Sequence, residues 1–381
     1  MTPFGKYMES TVRRLSQEAV WAAIADAGIE PHEIEHVFFA NAAAGLITGQ
    51  EMIRGQAALR GMPFMGVPIT NVENACASGS TALLHAWEAI RSGQIDVALV
   101  IGAEKLTHAD KGRSYSAYAR AVDLEEELPA TIGAGSGSIF MDIYAEKTRK
   151  YMKATGATSE DFARIVVKSR QAGMRNPLAQ FQTAISVDEV VSARMISDPL
   201  TLPMCSAIGD GAAALVLVSA RRAKALADRP RVWIGAVHMV SGLADASQPN
   251  CATRSSRGAY ELAGVGPRDL HVVELHDASA PAELMHYENL GLCEPGEAVH
   301  MLRSGTTALG GKLSVNPSGG LLSRGHPIGA TGVAQIYELT LQLRGDAGDR
   351  QRPDASVGLA ENNGGQLGSD AAVGITTILH T

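Results

Sequence analysis

The 381-residue chain has four cysteines, unevenly spaced and with no Cys-x-x-Cys pair. That argues against a disulfide framework and a cysteine-built zinc site, and for a reducing, cytoplasmic setting. No signal-peptide pattern opens the chain, Leu379-His380-Thr381 is no targeting signal, and no apolar run is long enough to span a bilayer. Positive charge is also short. A formal net charge of −7 argues against nucleic acid or an anionic membrane as the main partner. The Gly133–Gly137 cluster lacks the spacing and lysine of a phosphate loop and reads as a flexible loop.

What is present points to a large soluble enzyme-like fold. The length exceeds one usual core, so two packed halves are expected, and 45% hydrophobic residues suffice to fill them. Forty glycines imply many tight turns and close helix–strand contacts. The apolar pattern predicts helices over 11–27, 49–61 and from 77 to 91, with strands over 34–40, 67–72 and 97–102. Residues 111–192 read as an excursion with helices near 139–155 and 159–174, suited to a lid or cofactor loop. A strand over 209–218 and a charged connector over 221–231 follow, so the halves are placed at 1–222 and 223–381.

The second half repeats the first, with strands over 232–240, 270–275, 355–360 and 371–379 and helices over 255–263 and 280–290. A Gly-rich loop over 316–331 is expected to enter a helix over 332–343. Gly79-Ser-Thr-Ala-Leu-Leu echoes Gly329-Ala-Thr-Gly-Val-Ala, and the run from Gly209 echoes that from Gly368. Strands alternating with helices, twice over, give an α/β fold built of two-fold repeated βα halves.

Chemistry concentrates in a few stretches. In Asn74-Ala75-Cys76-Ala77-Ser78-Gly79 a strand or loop stops at Cys76 and a helix starts behind it. The helix dipole and free backbone N–H groups there are expected to lower the thiol pKa. His276-Asp277 ends an apolar segment, His326 sits in a rigid Gly/Pro loop at a helix entrance, and Glu361-Asn362-Asn363-Gly364-Gly365 precedes the last strand. A cysteine with a histidine is the minimum for an activated sulfur nucleophile.

Together these stretches resemble the thiolase superfamily from about Phe4 onward. The element Gly325-His326-Pro-Ile-Gly-Ala-Thr-Gly is highly specific. His276-Asp277, with Tyr287-Glu-Asn-Leu-Gly-Leu-Cys293, resembles the sterol-carrier-protein-2, or lipid-transfer, type. The resemblance implies stacked mixed sheets, an inserted loop domain, a homodimer and a coenzyme-A thioester as substrate, with no permanently bound cofactor and no metal. It further implies a first strand cut short before Met1 and no fused sterol-carrier domain. In these terms Cys76 would hold the acyl group, and His326 would take its proton. His276 and His326 would bind one oxyanion, and the Cys76 and Gly364 backbone N–H groups a second. Ser206 would touch the pantetheine arm.

One part departs from the family pattern. Condensing members carry a second acid/base cysteine, where this chain has Ala278 or, in the alternative location, Asn362. Neither exchanges a proton near neutral pH, and Ser279 is a poor base. Three readings follow: an acyl-CoA acyltransferase with an unusual acceptor or proton relay, a retro-aldolase acting on sterol or lipid side-chain CoA thioesters with a small OB-fold partner, or a non-catalytic CoA-ester or lipid-binding subunit. For the second, Tyr115, Tyr118, Tyr287 and Tyr337 are the tyrosines of interest. Cys205, Cys251 and Cys293 read as structural, and the acidic run 123–127 as a solvated loop. His85 reads as surface or packing, and His108, His238, His271, His286 and His300 have no motif around them.

Overall fold

The computed structural model describes residues 1–127, 129, 131–133, 136–226, 230–243, 245 and 247–381. Residues 134 and 135 of the expected glycine loop, and 227–229 of the expected connector, lie outside the described residues. The strands in order are β1 His36–Ala40, β2 Ile69–Val72, β3 Val97–Glu104, β4 Met195–Ser197, β5 Leu200–Thr201 and β6 Gly211–Val218, then β7 Trp233–Ser241, β8 Val272–Glu274, β9 Ser314–Val315, β10 Val357–Gly364 and β11 Val373–His380.

They form a four-stranded sheet ordered β2-β1-β3-β6 and a five-stranded sheet ordered β7-β11-β10-β8-β9. In each, three strands run parallel and one (β6 or β11) pairs antiparallel beside them. β1, β2, β3 and β6 thus correspond to β8, β9, β10 and β11. The place matching β7 is taken by the opening residues: Gly5 bridges Asp210 in antiparallel fashion, and the Thr2 amide donates to the Ala212 carbonyl at 2.9 Å. β3 is buried at every position, as its unbroken apolar run requires.

Two helices, Ser78–Arg91 and Ile328–Arg344, fill the layer between the sheets and touch both. Val12–Ala27 covers the outer face of the first sheet, and Cys251–Ala263 that of the second. Glycine lets the central layer close. A methyl at Gly332 would lie 2.6 Å from the Ser80 nitrogen, and one at Gly102 would lie 2.5 Å from the Gly329 carbonyl oxygen. Residues with side chains could not bring these backbones so near. Both echoed motifs therefore sit at one internal junction.

Some expected boundaries shift for local reasons. The helix expected over 49–61 is only Arg54–Leu59, because Gly49 at φ 84° closes an earlier turn, Ala44–Thr48. Cys251–Ala263 starts four residues early, since the Asn250 side chain caps it by accepting from the Thr253 N–H at 3.0 Å. Much of the expected loop 316–331 is helical, as Gly320–Ser323 and from Ile328, because its glycines serve close packing as well as turning. The 111–192 excursion contains Lys111–Tyr118, Ile139–Thr155, Ser159–Gly173 and Val187–Val191, followed by the β4–β5 hairpin. Among the described residues no helix is long and apolar enough to cross a membrane.

Candidate active site

The turn after β2 presents the cysteine. Ala75 adopts φ 48°, a left-handed conformation unusual for alanine, and Cys76 follows in a short 3-10 turn leading into Ser78–Arg91. Ser78 fixes the bend: its hydroxyl accepts from the Asn74 N–H at 2.8 Å and donates to the Ala75 carbonyl at 2.6 Å. Cys76 faces a cavity of about 940 Å³, which leaves the residue partly exposed although protein surrounds its sulfur.

The His326 loop is held by buried charge. Arg324 donates to Glu274 at 2.9 Å, and Asp277 accepts from the Leu321 N–H at 2.8 Å. Asp277 of the His-Asp pair thus fixes the loop, while His276 turns to the cavity. Glu104, at the end of β3, accepts from the N–H groups of Ala42 and Gly329, each at 3.1 Å, which ties the two halves beside the site.

Three expected residues meet there. Cys76 Sγ and one ring nitrogen each of His276 and His326 lie within 4.8 Å of one another, and the two rings stand edge to face at 5.1 Å. Hydrogen bonds set the tautomers. The Thr331 hydroxyl donates to the Pro327 carbonyl at 3.2 Å, so it accepts from His326 Nδ1–H at 2.7 Å, leaving the His326 Nε2 lone pair free. The Asn362 amide instead donates to His276 Nδ1 at 2.8 Å, which puts the His276 proton on Nε2. One ring is therefore a base and its neighbour a donor. A Cys/His/His set of this spacing also offers donor atoms of the kind zinc takes.

Burial dominates the charges. It pushes the Cys76 thiol up to about 12, with Glu104 adding to the shift, while the N–H groups of Gly365 and of Cys76 itself oppose it. Burial holds His326 down to about 3, helped by Arg324, and His276 well below its ordinary value, helped by His326 and His286. The expected lowering of the Cys76 pKa is thus corrected: loss of solvation outweighs the helix end, and the resting pair is a neutral thiol beside a neutral imidazole.

The N–H directed at the Cys76 sulfur is that of Gly365, at φ 62°; beside it Gly364 packs closely, and a methyl there would meet the Asn74 carbonyl oxygen at 2.3 Å. Ser206 lines the cavity, its N–H donating to the Ala278 carbonyl at 3.0 Å, and Ala278 lines it as well. The 111–192 excursion contributes Tyr118, Tyr144 and Lys147 to the wall. Of the tyrosines of interest, Tyr115 and Tyr118 reach the cavity. Tyr287 is buried on Glu283 and Thr307, and Tyr337 is not among the lining residues.

Several groups were not foreseen. Tyr144, His108 and His286 line the cavity, although the two histidines have no sequence motif around them. A signal for His286 did exist: Ala278, Ala282, Met285, His286 and Asn289 recur at helical spacing and share the cavity face. All four cysteines are free.

Comparison with known proteins agrees with this geometry. The family model "Thiolase, N-terminal domain" matches residues 1–221, and "Thiolase C-terminal domain-like" matches 236–379. The chain belongs to the thiolase family. An acetyl-CoA acetyltransferase of Methanothermobacter thermautotrophicus is 37% identical over 380 residues, covering 98% of this chain and 96% of that protein. Bovine sterol carrier protein 2 is 36% identical over 361 residues, 92% of this chain and 66% of that longer protein, in keeping with the sterol-carrier-protein-2 type. Among solved structures, an Ltp2-ChsH2(DUF35) aldolase superposes with a TM-score of 0.80 at 27% identity, covering 100% of this chain and 95% of its own. The thiolase-family protein is an acyltransferase.

Proposed function

We propose that this thiolase-family protein transfers acyl groups from coenzyme-A thioesters through an acyl-enzyme on Cys76. The observation that carries the reading is that Cys76 Sγ and one ring nitrogen each of His326 and His276 lie within 4.8 Å of one another, with Thr331 on His326 Nδ1 and the Asn362 amide on His276 Nδ1. The neutral thiol gives its proton to His326 Nε2 as sulfur attacks the thioester carbonyl. The carbonyl oxygen, gaining charge, is met by His276 Nε2–H, and His326 returns the proton to the departing CoA thiolate. Each fixed oxyanion donor of this kind is worth about 2.7–4 kcal/mol at the barrier. The Gly365 and Cys76 N–H groups at the sulfur stabilise the thiolate as it forms. Lys111, Lys147, Arg170 and Arg194 around the cavity would complement the phosphates of CoA, and Ser206, on the same lining, would touch the pantetheine arm.

A second reading is a lyase that works with a small partner protein, and the aldolase likeness together with Ala278 and Asn362 favours it. Tyr118 and Tyr144, rather than Cys76, would then carry the chemistry. A homodimer in the cytoplasm completes the proposal. Free CoA and the chain length of the remaining thioesters are followed with a panel of acyl-CoA and 3-hydroxyacyl-CoA thioesters, with and without candidate partner proteins. A burst of CoA equal to the enzyme concentration, lost in Cys76→Ala, supports acyl transfer. Turnover confined to the partner-supplemented samples and unaffected by Cys76→Ala overturns it.

A further inference from the structure

Acylation of Cys76 leaves unanswered which group moves a proton at the carbon next to a thioester carbonyl. Ala278 and Asn362 cannot, Cys76 carries the acyl group, and His326 stands beside that sulfur to receive and return the thiol proton. The helix Ala280–Asn289 starts directly behind His276-Asp277-Ala278-Ser279 and lays one face along the same cavity. His286 sits on that face with a relative exposure of 7%, and its Nδ1 is 3.6 Å from Glu361 Oε2. The fully buried Glu361 uses the same Oε2 to accept from the His276 backbone N–H at 3.0 Å. One carboxylate therefore stands between the oxyanion histidine and a second histidine open to the cavity.

Two further details give this pair a direction. Glu361 Oε1 and His286 Nδ1 are both buried and, among the described residues, without a hydrogen-bond partner, an arrangement proteins seldom leave idle. At 3.6 Å the ring and carboxylate are too far apart for a hydrogen bond, yet a shift of under 1 Å would make one. Catalytic contacts commonly tighten in this way when substrate binds. With Nδ1–H on Glu361, the lone pair of His286 Nε2 is left for the cavity, the arrangement that makes an imidazole a directed base.

We propose that His286, oriented by Glu361, is the acid/base acting on the α-carbon of a second acyl-CoA, in place of the absent thiol. This rests on the acyl-transfer reading. His286 Nε2 takes one α-proton, and the C–H electron pair becomes an enolate whose oxygen accepts from His276 Nε2–H. The enolate carbon bonds to the acyl carbon on Cys76, the S–C bond breaks, and the leaving thiolate recovers the proton from His286. In the thiolysis direction the same proton runs backwards. Glu361 is a positioning residue in this scheme.

The test is exchange of the methyl protons of acetyl-CoA in D2O, read by NMR, with acetylation of Cys76 measured by mass on the same samples. The wild type is expected to do both. His286→Gln should keep Cys76 acetylation, a half-reaction it does not enter and a sign of intact folding, while exchange falls by about 10²–10⁴-fold. Imidazole in the buffer should partly restore exchange in His286→Ala. Glu361→Gln should show a smaller drop in exchange with unchanged KM for acetyl-CoA. Exchange in His286→Gln within about twofold of the wild type, or a wild type that acetylates without exchange, overturns the inference and leaves the Cys76 chemistry standing. A wild type that exchanges but never acetylates Cys76 overturns the acyl-transfer reading, and the condensation role falls with it.

Discussion

The exchange Asn362→Asp tests how one hydrogen bond sets the chemistry of His276. Asn362 donates to His276 Nδ1 at 2.8 Å, and the Ser80 hydroxyl donates to Asn362 Oδ1 at 3.2 Å, so the amide is held in one sense. A carboxylate at this buried position accepts where the amide donated, which places the His276 proton on Nδ1 and a lone pair on Nε2. One oxyanion donor is lost, at a cost of about 2.7–4 kcal/mol, or roughly 10²–10³-fold in the acylation rate. Little change is expected in KM, because the donor acts where charge develops. The pH dependence carries a distinct sign. In the wild type burial keeps His276 well below its ordinary pKa, so the Nε2–H donor persists unchanged through the neutral range. In the variant a carboxylate next to the ring favours imidazolium, and protonation returns a hydrogen to Nε2. The acylation rate of the variant should therefore rise as pH falls, measured by stopped-flow release of CoA. A variant with the rate and pH profile of the wild type would show that His276 does not act through Nε2–H.

Two further predictions concern charge. Because the Cys76 thiol is pushed up to about 12 and His326 down to about 3, the resting thiolate fraction should grow about tenfold per pH unit near neutrality. Iodoacetamide alkylation of Cys76 should climb without a plateau from mildly acidic to mildly basic pH; a plateau below neutrality would instead reveal a resting thiolate–imidazolium pair. Arg324→Met leaves the buried Glu274 carboxylate with the Ser318 N–H and hydroxyl as its partners among the described residues, and should cost about 3–5 kcal/mol in urea denaturation. A loss below about 1 kcal/mol would mean that the bridge does not hold the His326 loop.

Local features of the fold could be read from the sequence, and contacts across the chain could not. Cys76 at a strand-to-helix turn follows from its neighbours alone, and the His326 element follows from one short run. β3 was evident because a strand buried on both faces is apolar throughout. By contrast, Asn362 reaches His276 across 86 positions, and Glu361 meets His286 only because β10 lies beside β8 and the helix that follows it. No local pattern encodes either contact. The sign of the Cys76 shift has a similar cause: the turn and helix that favour a lower pKa are local, but the burial that outweighs them comes from packing of both halves. The glycines near Gly329 suggested a loop, yet two of them serve a helix pressed against Ala103 and Ser80.

The most direct measurement is the intact mass of the protein after brief incubation with acetyl-CoA, quenched in acid, with the adduct located by peptide mapping. One acetyl group per chain on the peptide that carries Cys76, absent in Cys76→Ala and formed about 10²–10⁴-fold more slowly in His326→Ala, is the expected result. No adduct with acetyl-CoA or longer acyl-CoA thioesters, or an adduct that persists in Cys76→Ala, would contradict the proposed role of Cys76.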